Sequence, residues 1–159
     1  MAAETKKLSF RCGFSLVDVL VAVAILLIAI IGTSRLRYYS AMDARKAGLR
    51  IGAARTGLLL CENWRGVNGS GTYDPVASLG SDVTISTGTG PSAPSGFTSL
   101  GSYTINLNGT TYYATLSWRD VQTGLRALNI IVAWPLRNQA PTGVADADRS
   151  FELTTYALI

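Results

Sequence analysis

The chain has 159 residues, 48% of them hydrophobic and 15% charged, with a net charge of +4, two cysteines and no histidine. That length fits one modest domain plus a membrane segment, not a two-domain enzyme. Histidine-based triads, acid-base pairs and the common histidine-containing zinc sites are excluded, and no Gly-x-Ser-x-Gly turn or Ser-x-x-Lys pair supplies another nucleophile, so a non-enzymatic role is expected.

Residues 1 to 13, MAAETKKLSFRCG, carry Lys6, Lys7 and Arg11 against Glu4. Such a basic flank places the amino-terminal end on the cytoplasmic side of a membrane. Residues 14 to 32 form a mostly apolar run, close to the roughly 20 residues a helix needs to cross a bilayer. Its one carboxylate is Asp18, and burying a lone charge in hydrocarbon costs several kcal/mol. A secretory signal predicts a small-x-small cleavage site beside the run, and GTSRLRYYSAMDARK offers no clear one. A plain anchor leaves Asp18 without a partner, so the partner is expected from another chain or from a terminus.

From Ser34 to Arg65 the sequence keeps a helical period, with Ala44, Ala47, Ile51, Ala54, Leu58 and Cys61 at spacings of three and four. This stripe predicts a face packed on a sheet. Joined to the apolar run, it gives one helix of about 50 residues, about 75 Å at 1.5 Å per residue. Arg45, Lys46, Arg50, Arg55 and Arg65 beside the stripe predict a solvated or lipid-facing surface, with filament contacts or DNA attraction as alternatives. Gly48, Gly52 and Gly57 each lower helix propensity by up to about 1 kcal/mol; they suit either close approach of a strand or neighbouring subunit, or tolerated packing sites. RGVNGSG, from Arg65 to Gly71, ends the helix with turn chemistry.

Residues 66 to 102, rich in Gly, Ser, Thr and Pro, are expected to form a long surface loop with a short strand around Val83 to Ser86. STGTGPSAPSG within it lacks the lysine and following helix of a phosphate-binding loop. The segment SYTINLNGTTYYATLSW then sets Asn108-Gly109 between two alternating runs, a strong hairpin signal. RDVQTG reads as a turn, LRALNIIVAW as a third strand and FELTTYALI as a fourth, giving an antiparallel meander. Trp64, Trp118 and Trp134 are expected as core or interface anchors. Asp146, Asp148 and Glu152 in PTGVADADRSFE match no EF-hand spacing, so an acidic turn before a strand is expected and no metal site or cofactor.

The stretch Gly13-Phe14-Ser15-Leu16-Val17-Asp18-Val19-Leu20-Val21-Ala22 resembles the class III signal of type IV pilins and type II secretion pseudopilins. It joins a short basic leader ending in Gly to Phe, an apolar helix and an acid five residues after the cut. LSW at Leu116 to Trp118 and the closing FELTTYAL are similar to minor pilins of the PilV kind and related pseudopilins. The resemblance implies an α+β fold, a long helix packed on an antiparallel sheet, and organisation into a leader (1–13), membrane helix (14–33), amphipathic continuation (34–65) and globular part (66–159). It implies cleavage between Gly13 and Phe14 by a prepilin peptidase, N-methylation of Phe14, and loss of Cys12 with the leader, leaving Cys61 as a lone, buried thiol. Asp18 would then offset the Phe14 amine of a neighbouring subunit, because pairing removes the cost of two unpaired charges in a low dielectric.

The implied partners are other pilin or pseudopilin subunits, the inner-membrane assembly platform and membrane lipid. The implied location is the inner membrane with the globular part in the periplasm, then a pilus or pseudopilus. Asp18 replaces the usual Glu, and Arg35 stands where many major pilins carry a kinking proline; both departures point to a minor subunit. A competence-type pilin that binds DNA through its arginines is the alternative.

Overall fold

The computed structural model describes residues 15–136 and 143–159. Two units can be distinguished, Met1–Asp43 and Ala44–Ile159, and helix α1, Leu16–Gly66, contributes to both. In the first unit every described residue is exposed. The apolar part of α1 is long and apolar enough to cross a membrane.

In the second unit α1 is followed by α2 (Pro75–Leu79) and strands β1 (Thr84–Thr87), β2 (Thr98–Leu107), β3 (Thr110–Gln122), β4 (Leu125–Trp134) and β5 (Arg149–Leu158). The strands form one sheet in the order β1-β2-β3-β4-β5, each antiparallel to its neighbour. This is the expected α+β architecture, a long amino-terminal helix packed on an antiparallel meander. Asn108 (φ 52°) and Gly109 (φ 75°) both take the left-handed conformation, as a two-residue type I′ hairpin requires.

The end of α1 follows from RGVNGSG. Asn68 adopts φ 55°, its N–H bonds to the Arg65 carbonyl at 2.9 Å, and the Gly69 N–H reaches back to the Trp64 carbonyl at 3.0 Å. These are the paired bonds of a Schellman motif, which satisfy carbonyls the helix leaves open. Trp64 Nε1 donates to the Ser70 carbonyl, its ring stacks on Tyr73, and Arg126 donates from Nη1 to the Gly69 carbonyl at 3.0 Å. The same guanidinium pairs with Asp120 and lies 3.9 Å over the Trp118 ring, so one side chain ties the helix end to the β3–β4 hairpin.

Ala53, Leu60, Cys61 and Trp64 of α1 join Ile105, Tyr112, Leu116, Leu128, Ile130 and Val132 in the core, and the partly buried Leu49 packs against it. Fully burying an aliphatic side chain of this size contributes about 1.5–3 kcal/mol. The helix surface that packs is not the one the periodicity suggests. Ile51 is 53% exposed and Leu58 49% exposed, and Ala44 and Ala47 are exposed as well. At about 100° per residue, Ile51 and Leu58 lie about 200° round from Ala53 and Leu60, on the side of α1 away from the sheet. Of the predicted stripe, only Cys61 is buried and Ala54 half-buried.

Two further expectations are corrected. Residues 66–102 contain α2, started by Asp74, whose Oδ1 accepts the Val76 N–H at 2.9 Å, with Pro75 in the first turn where its missing N–H costs nothing. The loop before β2 is the expected surface loop, and it is anchored to the sheet: Gly88 N–H bonds to the Ser102 carbonyl at 3.0 Å, and a Cβ on Gly90 would overlap Thr115 Oγ1 and stand 2.9 Å from the Ala114 carbonyl. It crosses the outer face of the sheet, where Thr115 and Ser117 are buried, and Phe97 near its end sits 5.0 Å under Arg119. Finally, Arg119–Gln122 continue β3; the turn is confined to Thr123 and Gly124.

Candidate assembly site

The expected cleavage and methylation site, Gly13 and Phe14, lies outside the described residues, as does Cys12. Asp18 stands in the first turn of α1, where its Oδ2 accepts the Ser15 backbone N–H at 3.2 Å. Ser15 Oγ in turn accepts the Val17 N–H at 3.3 Å. The Asp18-to-Ser15 bond is the returning half of a capping box, with Asp in the third position, while Ser15 Oγ caps the second residue of the helix and the Asp18 N–H bonds to the Ser15 carbonyl at 3.0 Å. Asp18 therefore has a partner inside its own chain, which corrects the expectation that none is available there. The pattern Ser-x-x-acid at 15–18 is readable in the sequence, although the membrane-length run around it draws attention elsewhere. Oδ2 thus caps the helix, and among the described residues Oδ1 has no hydrogen-bond partner.

Beyond Asp18 the apolar surface is uncovered all round. Leu16, Leu20, Ile25, Ile28 and Ile31 are each more than half exposed. Thr33 directs its hydroxyl back to the Ala29 and Ile30 carbonyls at 3.0 Å, which satisfies its donor within the helix.

In the second unit the outward stripe of Ala44, Ala47, Ile51 and Leu58 extends the same character. Two glycines explain how the other side of α1 sits so close to the sheet. A Cβ on Gly52 would overlap Tyr112 Oη, and one on Gly57 would lie 3.3 Å from the Phe151 ring. Tyr112 donates its hydroxyl to the Leu49 carbonyl at 3.3 Å. Around Gly48, by contrast, an added Cβ would meet nothing within 4 Å.

The cations of α1 do not share one surface. Arg45 and Arg55 line a cleft with Leu107, Asn108 and Tyr112, whereas Lys46 and Arg50 line another with Trp134, Arg149 and Phe151. The two groups thus occupy opposite flanks of the packed helix.

Cys61 is a buried, free thiol, and burial pushes its pKa up, partly offset by Arg65, which disfavours the reactive thiolate. Glu152 is committed to the sheet, accepting from Asn129 Nδ2 at 2.7 Å, and Asp148 is exposed. The Asp146 side chain lies outside the described residues. Trp64 and Trp134 are core residues and Trp118 packs against the core.

The chain matches no family model, no curated protein and no solved structure.

Proposed function

We propose that this chain is a non-enzymatic assembly subunit, a minor pilin or pseudopilin processed by a prepilin peptidase and built into a type IV pilus or type II secretion filament. The observation that carries this reading is apolar surface on α1 that its own chain leaves uncovered: the whole circumference of the first unit and the outward stripe of the second. Exposed apolar surface on this scale marks a membrane or protein contact. A bilayer accounts for the first part before assembly, and neighbouring helices account for both afterwards.

The open Oδ1 of Asp18 gives the subunit an acceptor for a neighbouring Phe14 amine, so that neither charge enters low dielectric unpaired. The sheet and its loop layer then present the exposed surface of the subunit to partner subunits and the assembly platform. The test is intact mass and amino-terminal sequence of the protein from cells with and without the peptidase. A chain beginning at methylated Phe14 only when the peptidase is present is the expected result; an intact leader in both, or cleavage after the apolar run, would overturn the proposal.

A further inference from the structure

The apolar run of α1 ends in a compact polar and aromatic group. Arg35, Leu36, Arg37, Tyr38 and Tyr39 are consecutive and all exposed, with Leu36 at 71%, Tyr38 at 64% and Tyr39 at 59%. At about 100° per residue, Arg35 and Tyr39 share one side of the helix, Arg37 lies opposite, and Tyr38 stands roughly 60° from Arg35. The group therefore rings the helix, unlike a seam for one partner helix. The two tyrosine rings meet edge to face at 5.9 Å. No acidic residue occurs from Val19 to Met42, and neither guanidinium has a hydrogen-bond or ion-pair partner among the described residues.

Spacing adds an independent constraint. Asp18 and Arg35 are 17 positions apart in one helix, about 26 Å at 1.5 Å per residue, and Tyr39 is about 6 Å further. The hydrocarbon core of a bilayer is about 30 Å thick. When the capped first turn with Asp18 lies at one boundary, the arginines and tyrosines fall at the other. Tyrosines favour that boundary for their amphipathic rings, and planar guanidinium matches the oxygens of a phosphate diester in bidentate fashion.

We infer that Arg35, Arg37, Tyr38 and Tyr39 form an interfacial girdle that binds phospholipid phosphates and fixes the depth of α1, thereby holding Asp18 at the opposite boundary. This rests on the reading that the apolar run spans a bilayer. The girdle holds the subunit at constant height in the membrane before assembly and so presents Asp18 at a constant level to the next subunit.

The test uses the full chain with Cys12→Ser, reconstituted in phosphatidylcholine vesicles with or without phosphatidylglycerol. Nitroxide labels at Leu36→Cys or Val23→Cys report depth from oxygen and water-soluble relaxation agents, while the buried Cys61 thiol stays unlabelled. The expected result is a Val23 label in the hydrocarbon centre and a Leu36 label near the phosphate plane, unaffected by inorganic phosphate in the buffer. Replacing Arg35 and Arg37 by Gln together with Tyr38 and Tyr39 by Ala should move the Leu36 label by about 5 Å, one helical turn. An unchanged Leu36 depth with Val23 still in hydrocarbon overturns the girdle alone, and so does a depth shifted by free phosphate. A water-accessible Val23 label overturns the spanning reading and the girdle with it.

Discussion

The proposal gives Asp18 a second task beside its cap, and substitutions can part the two. As a cap it needs only an acceptor oxygen for the Ser15 N–H, worth about 1 kcal/mol. As a partner for an amine in low dielectric it needs charge, and loss of one member of such a pair costs about 3–5 kcal/mol. Asp18→Asn keeps the acceptor and removes the charge. We predict that Asp18→Asn and Asp18→Ala insert normally in the membrane but are both depleted from sheared filaments, whereas Asp18→Glu is recovered near the original level. Recovery of Asp18→Asn equal to that of the unaltered chain would reduce Asp18 to a cap. The burial of Tyr73 sets a second residue-scale expectation. Burial, with smaller contributions from Tyr103 and Asp74, pushes its phenol up to about 12 from an ordinary 10.0. The folded state thus favours the neutral phenol, so its contribution to stability is intact below pH 10 and declines from pH 10 to about 12 as the unfolded chain ionises first. Denaturant midpoints measured across that window should fall, and Tyr73→Phe should flatten part of the decline.

Among the elements, α1 shows how far a periodic pattern can be trusted. The pattern from Ser34 to Arg65 correctly implies a helix, and RGVNGSG its end, because Asn68 and Gly69 tolerate the conformation that a Schellman motif demands. The phase of the stripe does not follow. Both sides of α1 carry small or apolar residues at the same spacing, Ala53, Thr56 and Leu60 on one and Ala47, Ile51 and Leu58 on the other, so period alone cannot say which meets the sheet. The contacts of glycine settle it. Gly52 lies against Tyr112, so Gly52→Ala should displace that ring, break its bond to the Leu49 carbonyl and cost about 1–3 kcal/mol as an overpacked site. Gly48→Ala, with open space around it, should gain about 0.5–1 kcal/mol from helix propensity alone. Equal midpoints for the two variants in chemical unfolding would contradict this packing. The Asn108-Gly109 hairpin was equally legible, since few residue pairs accept two positive φ angles. The short helix α2 and the anchoring of the loop on the outer face are not: their signals, an Asp74-Pro75 start and a glycine at 90, are local features inside a segment whose composition reads as loop.

For the whole molecule, the sequence supports the fold more firmly than the site. Alternating strands and a membrane-length helix specify the architecture through burial and hydrogen-bond satisfaction, which any chain must obey. The proposed assembly contact is different, because its other half would belong to another subunit and this chain shows only uncovered apolar surface. The split of the α1 cations between two flanks also bears on the DNA alternative. A phosphate track needs them on one surface, so the globular part should show no steep salt-dependent affinity for duplex DNA. The most direct measurement is photo-crosslinking in cells with a benzophenone amino acid placed singly at Ile51 and at Leu58. Adducts to pilin-type subunits are expected from both positions, present only when the prepilin peptidase is active. A processed, membrane-inserted chain that gives no adduct at either position would contradict the proposed assembly contact.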